Sequence, residues 1–375
     1  SPRWSAAYDE PMTLQDDAAY RAITTRDARF DGRLFVGVTS TRVYCRPVCR
    51  VRTPRRENCR FFANAALAEA GGFRPCLRCR PEAAPGTPAW IGTSAVVRRA
   101  LRLIHDGALD EGVVEDLATR VGVGSRHLHR LFIRHVGAPP IAVAQTRRLH
   151  FAKRLLDETV LPMTQIALAS GFGSLRRFNH AFHETYGRAP RELRKLRRSG
   201  LAATGSDEVV LRLSYRPPYD WAQVRDFLER RAVPGVERID RQGYARTVST
   251  ADGWATIRVE PAAKDNALEL RVCGAAPSAL LQLSANARRA FDLAADPALI
   301  ARAFRADALL APLLRRRPGL RIAGAWDPFE CGVQAIVAQG VGDSTARMLT
   351  SRLVNRFSQA LPDGAAGLTH LFPTP

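Results

Sequence analysis

Cys45 and Cys49 are separated by three residues, Cys76 and Cys79 by two, with 26 residues between the pairs. That spacing fits a site in which four cysteines hold one Zn2+. Zinc keeps a bound thiol deprotonated, so such a site can carry a nucleophile at neutral pH. Seven arginines crowd the same two stretches: Arg42, Arg46, Arg50, Arg52, Arg74, Arg78 and Arg80. A metal accounts for the thiols but not for the cations. Four thiolates leave a zinc site net negative, so arginines around it would be needed to hold a polyanion close. On spacing alone, a zinc staple that only folds a small module stays open. Cys59 lies outside the pattern and is expected to be a small buried residue. Cys273 and Cys331 are expected as core thiols. His105, His135, His150 and His370 show no ligand spacing.

The length, 375 residues, suggests two or three domains. The net charge of +20 is uneven: residues 1–200 hold 34 Lys and Arg against 18 Asp and Glu. A basic half of this kind points to nucleic acid. No apolar run approaches the length of a membrane span, and the N-terminal stretch has no signal-peptide core. A cytoplasmic location is expected, where paired cysteines mean metal more often than disulfide. The sequence opens without Met and is not expected to be the native start.

The elements that must position these residues fall into blocks. Pro/Gly-rich linkers are expected at 81–90 and 197–208, with a weaker joint at 315–324. The expected domains are a zinc module at 13–82, a helical domain at 92–198, a mixed domain at 207–318 and a helical segment at 319–375. Alternation and β-branched content predict strands at 209–215, 244–249, 254–260 and 268–273. Helices are predicted at 221–232, 278–293 and within 326–359.

The helical block contains a repeat. Ala118 matches Ala167 and Gly122 matches Gly171 at an offset of 49; Leu128, Phe132 and Gly137 match Phe178, Phe182 and Gly187 at an offset of 50. Each unit reads as a short helix, a glycine turn and a second helix opened by Ser125 or Ser174 as N-cap. Between the apolar positions stand Arg126, His127, His129 and Arg130, then Arg176, Arg177, Asn179 and His180. These suit recognition helices: Arg reads guanine, Asn reads adenine and the cations hold phosphate. One unit alone could equally be a helical hairpin with a basic face. Two, joined by a helix at 141–158, resemble the AraC-type DNA-binding domain, in which two recognition helices enter successive major grooves about 34 Å apart.

Residues 15–82, with "VYCRPVCR" and "FRPCLRCR" at their centre, resemble the N-terminal domain of the Ada methyl-acceptor proteins. The resemblance implies that Cys45 takes a methyl group from a methylphosphotriester in double-stranded DNA, with Cys49, Cys76 and Cys79 as the other zinc ligands. Arg46, Arg52, Arg74 and Arg78 are then expected to hold the DNA backbone. Methyl transfer lowers the negative charge of the site, so DNA affinity should rise and a repair event becomes a signal at promoters, with RNA polymerase as an expected partner. No Pro-Cys-His-Arg run is present that would suggest a second acceptor, for O6-methylguanine.

The third part is similar to the AlkA glycosylases. Residues 211–237 resemble their N-terminal α+β domain, and 319–354 the start of their helix-hairpin-helix domain. Phe227 falls where that family has a cleft aromatic, although locally it reads as a core Phe. Gly340 stands where the family can place an apolar wedge. The catalytic aspartate is expected beyond residue 375. The expected fold class is therefore multi-domain: a small α+β zinc module, an all-α double helix-turn-helix domain, an α+β AlkA-like N-terminal domain and the start of an all-α domain. Two rival readings remain at this level, a transcription factor with a structural zinc and a base-excision enzyme with a DNA-targeting arm.

Overall fold

The computed structural model describes residues 16–85, 95–110, 112–195, 208–263, 265–358, 360–361 and 367–375. The chain divides into two compact units, Ser1–Gly200 and Leu201–Pro375.

The first unit opens with α1 (Asp16–Thr24), followed by β1 (Phe35–Val38), β2 (Val43–Cys45), β3 (Cys59–Phe62), α2 (Ala65–Ala70) and β4 (Arg74–Pro75). The sheet order is β3-β1-β2-β4, antiparallel except for the parallel pair β2 and β4. Residues alternate between two small cores, as strand geometry requires. Phe35, Tyr44, Phe62 and Phe73 pack under α2. Leu34, Val36 and the cysteines pack with Ala19, Ala22 and Ile23 of α1. Asn64 caps α2 by accepting from the Leu67 N–H.

The rest of the unit is helical: α3 (Ala95–His105), α4 (Val114–Arg120), α5 (Ser125–Val136), α6 (Pro140–Glu158), α7 (Met163–Ala169), α8 (Leu175–Tyr186) and α9 (Pro190–Lys195). The pairs α4–α5 and α7–α8 are the two repeats. Leu128, Phe132 and Val136 bury one face of α5; Phe178, Phe182 and Tyr186 bury one face of α8. Gly137 and Gly187 end these helices at φ +80° and +67°, a left-handed conformation that glycine takes without a Cβ penalty.

Ser174 caps α8, accepting from the Arg177 N–H, but Ser125 does not cap α5. The first turn is one residue shorter, so the extended cap position falls on Gly124 and Ser125 is already helical. The expected linker at 81–90 also differs. Pro81–Ala83 form a 3-10 turn and Glu82 is buried; residues 86–90 lie outside the described residues, as do 197–207 of the second expected linker.

The second unit contains β5 (Glu208–Ser214), α10 (Trp221–Arg231), β6 (Glu237–Ile239), β7 (Tyr244–Thr250), β8 (Gly253–Pro261), β9 (Ala267–Cys273), α11 (Leu280–Ala290), α12 (Pro297–Ala303), α13 (Leu310–Arg316), α14 (Pro328–Val337) and α15 (Asp343–Phe357). Its antiparallel sheet runs β5-β9-β8-β7-β6. Leu211, Leu213, Ala255, Ile257, Val259, Leu268, Leu270 and Val272 bury one face. On the other, Arg258 and Arg271 both reach Glu260, at 3.2 and 2.8 Å. The joint at 315–324 is tied down: Arg321 is buried and donates to the Arg216 and Pro218 carbonyls at 2.8 and 2.9 Å. Cys273 and Cys331 are exposed, not core. Cys273 lies one residue past the buried alternation of β9, and Cys331 lines an open cavity beside α14.

Candidate metal centre and nucleic-acid interface

Parallel pairing of β2 with β4 brings the two cysteine loops together. The Arg74 N–H donates to the Arg42 carbonyl at 2.7 Å and the Cys76 N–H to the Tyr44 carbonyl at 2.9 Å. Cys45 therefore leaves the end of β2 directly beside the loop that starts at Cys76. The Cys49 N–H donates to the Arg46 carbonyl and the Arg80 N–H to the Cys76 carbonyl, so each loop turns back on itself. The four sulfurs of Cys45, Cys49, Cys76 and Cys79 all lie within 4.8 Å of one another. Cys59, buried at β3, bonds instead towards the Arg55 carbonyl at 3.2 Å.

Thiols packed this closely share protons. Hydrogen bonding to Cys45 draws Cys49 down to about 7, and the same contact pushes Cys45 up. One divalent cation can replace those protons and satisfy four sulfurs at once, so the donor set fits zinc. Cys45, Cys49 and Cys76 border an apolar recess of about 380 Å3 walled by Ile23, Val36, Val38, Val43 and Val51. Cys79 does not line it.

The arginines divide into two kinds. Arg50, Arg52, Arg74 and Arg78 are exposed. Arg46, expected on the DNA backbone, is instead folded inward. Its Nε donates to Asp31 at 2.8 Å, its Nη1 to the Cys79 carbonyl at 3.2 Å, and its backbone N–H points at the Cys79 sulfur at 3.3 Å. A buried carboxylate thus competes for this guanidinium ahead of any phosphate, and Arg46 braces one cysteine loop against the other. Arg80 adopts φ +56°, an uncommon conformation for a residue with a Cβ, immediately after Cys79.

On the repeats, Arg126, His127, His129 and Arg130 of α5 are exposed, as are Arg176, Arg177, Asn179 and His180 of α8. The helical period that buries Leu128 and Phe178 turns these side chains outward. His180 lies 3.6 Å from Glu184 one turn on.

In the second unit Phe227 is half-buried and lines a cavity of about 390 Å3 with Trp326, Arg246 and Glu330. The Arg231 guanidinium stands 4.3 Å from the Phe227 ring centroid, within cation–π range. Arg246 and Glu330, both buried, pair at 2.7 Å. Gly340 takes φ +71° between α14 and α15, and nothing lies within 4 Å of where a Cβ would stand.

Sequence reasoning missed the groups behind the cysteines. Tyr44 Oη donates to Glu69 at 2.9 Å and lies 3.1 Å from His150 of α6. Arg80 reaches Asp157 and Glu158 of α6, at 2.8 and 3.0 Å. These partners stand 77 or more residues from Arg80 in sequence, and no local pattern marks them.

Three family models match the chain: the metal binding domain of Ada at residues 18–82, a helix-turn-helix domain at 117–196 and the AlkA N-terminal domain at 210–327. A probable bifunctional transcriptional activator/DNA repair enzyme AlkA of Mycobacterium tuberculosis is 40% identical over 365 residues, 96% of this chain and 73% of the relative. The bifunctional transcriptional activator/DNA repair enzyme Ada of Escherichia coli is 35% identical over 181 residues, 48% of this chain and 49% of its own. The DNA-3-methyladenine glycosylase 2 of the same organism is 32% identical over 163 residues, 44% and 55% of the two chains. Among the described residues no helix is long and apolar enough to cross a membrane.

Proposed function

The chain belongs to the family of bifunctional transcriptional activator/DNA repair enzymes of the Ada and AlkA type, with zinc as its cofactor, and from that premise we propose that Cys45 accepts a methyl group from DNA methylphosphotriesters and thereby turns the chain into an activator. The single observation that carries this reading is the gathering of four thiols within 4.8 Å at the end of β2, in the same compact unit as two exposed basic recognition helices.

Bound to Cys45, Cys49, Cys76 and Cys79, zinc supplies the positive charge that keeps the thiols ionised at neutral pH. The Cys45 sulfur attacks the methyl carbon with its own electron pair. The carbon–oxygen bond breaks, a carbon–sulfur bond forms, and the phosphate oxygen leaves with the bonding pair and regains its charge. The thioether is not easily reversed, so each chain reacts once. The apolar recess beside Cys45 suits an uncharged methyl group. Arg50, Arg52, Arg74 and Arg78 hold the neighbouring phosphates. Converting one thiolate of four into a thioether removes one negative charge from a surface that meets phosphates, so affinity for DNA rises. Arg126, His127, His129 and Arg130, with Arg176, Arg177, Asn179 and His180, then read the promoter, and the DNA-bound chain recruits RNA polymerase in the cytoplasm. The second unit is the base-binding side of a glycosylase, with Phe227 in its cleft, while the carboxylates lining that cleft are engaged or open helices.

The test is mass spectrometry of the chain after exposure to methylated duplex DNA. The expected result is one added CH2 on Cys45; its appearance on another cysteine, or on none, sinks the reading.

A further inference from the structure

Among the described residues the zinc module meets three helices, α5, α6 and α8. Asn64 donates to the carbonyl of Val136, the last residue of α5, at 3.3 Å, and Leu67 packs where Gly137 lacks a Cβ. The Arg74 guanidinium occupies the equivalent place at Gly187, which ends α8; an added Cβ there would stand 2.8 Å from Nη1. Between them, Glu69 accepts from Thr146 of α6 at 2.6 Å and from Tyr44 at 2.9 Å, and His150 stands 3.3 Å away. Further along α6, Glu82 and Asp157 flank Lys153, all three nearly inaccessible, and Arg80 closes the cluster.

We infer that the zinc module is a brace that fixes the two recognition helices relative to each other, with Glu69 and Arg80 as positioning residues for DNA reading. The inference rests on the proposed reading of α5 and α8 as recognition helices. Two such helices on one chain must match successive major grooves, about 34 Å apart. Along the chain α5 and α8 are joined through α6 and α7, by the glycine turn at Gly137 and the connection at 159–162. A module that grips α5 at its end through α2, α6 through Glu69 of α2 and through Arg80 and Glu82, and α8 at its end through Arg74 of β4 limits the remaining freedom. Its polar contacts at Asn64 and at the Glu82, Lys153 and Asp157 cluster are buried, so they tolerate few alternative arrangements. Tyr44 and Arg80 each adjoin a proposed ligand, Cys45 and Cys79, so the brace is anchored at the metal centre itself.

The experiment uses the whole chain with zinc bound. Tyr44→Phe combined with Thr146→Val removes both hydroxyls that hold Glu69 with little change of shape, and Arg80→Met removes the tie to Asp157 and Glu158. Amide hydrogen exchange is followed in protein alone. The expected result is exchange about tenfold faster in residues 125–136, 140–158 and 175–186 with the fold retained. Unchanged exchange in the folded double variant overturns the brace, even where Arg80→Met fails to fold. DNA sites selected from a random pool are then compared with copies whose two half-sites are moved one or two base pairs apart. Wild type should bind one spacing best, and the double variant should lose that preference severalfold. A wild-type chain that selects no sequence overturns the recognition-helix reading instead, and the exchange result still decides the brace.

Discussion

Arg80 lies 2.8 Å from Asp157, across the join between the zinc module and α6, although Asp157 is completely enclosed. A buried carboxylate is stable in its ionised form only where cations offset its lost hydration, and here Arg80 and Lys153 both do so. Removing one partner of such a cluster leaves a stranded charge, at a cost of about 3–5 kcal/mol. Arg80→Ala should therefore lower the denaturation midpoint of the first unit, followed by chemical unfolding. A loss within experimental error would show that the cluster is not maintained in solution.

Elemental analysis should find one zinc per chain in protein purified without chelators. Cys79→Ser, or a strong chelator, should unfold residues 16–85, because structural zinc contributes on the order of 10 kcal/mol to folding. Zinc absent from well-folded protein would refute the four-cysteine centre.

Methyl acceptance should vanish in Cys45→Ser and persist in Cys59→Ala. The reason is placement: Cys45 borders the recess with Cys49 and Cys76, whereas Cys59 bonds to the Arg55 carbonyl. Peptide mass mapping after reaction with methylated DNA distinguishes the two.

Arg176→Ala and Arg177→Ala should each weaken promoter binding by roughly tenfold without altering methyl acceptance. Loss of a phosphate contact, in addition, lowers the slope of log affinity against log salt by about 1. Binding titrations at several salt concentrations give both numbers. Equal affinities for variant and wild type would remove α8 from the interface.

Release of 3-methyladenine by residues 1–375 should stay at background. Cutting an N-glycosidic bond needs a carboxylate facing a sugar that becomes cationic. The carboxylates lining the cavity of the second unit are already engaged or sit at helix starts. Glu330 is held by Arg246, Glu237 accepts from Tyr244, and Asp327 caps α14. Asp343 opens α15. Robust base release measured on alkylated DNA would show that one of them is free to act.

The chemistry-bearing residues that sequence made legible are those whose partners are near in the chain. Two cysteine pairs with two or three residues between them can be recognised locally, and the structure gathers them. The repeat was readable because each half carries its own helical period. What failed was whatever depended on distant partners or on a one-residue difference. Arg46 looks like any arginine beside a cysteine until Asp31 is seen to hold it. Glu82 sits in a stretch whose Pro and Ala content suggests a loose linker, yet Lys153 lies 3.5 Å away. Ser125 fails as a cap because its turn is one residue shorter than that before Ser174. The short helices α12 and α13 and the three-residue strand β6 carry too few residues for a period to declare itself.

The burial of Glu82 also bears on how such a chain can be assembled by gene fusion. A recombination break between the cysteine module and the helices would part Arg80 from Asp157 and Glu158, and Glu82 from Lys153. The segment that can be transplanted intact runs from α1 through α9. A new host acquiring the thiols alone would have to replace the Lys153, Asp157 and Glu158 side of this cluster. Heredity in this architecture therefore favours passing the sensor and the reader on together, as one cassette.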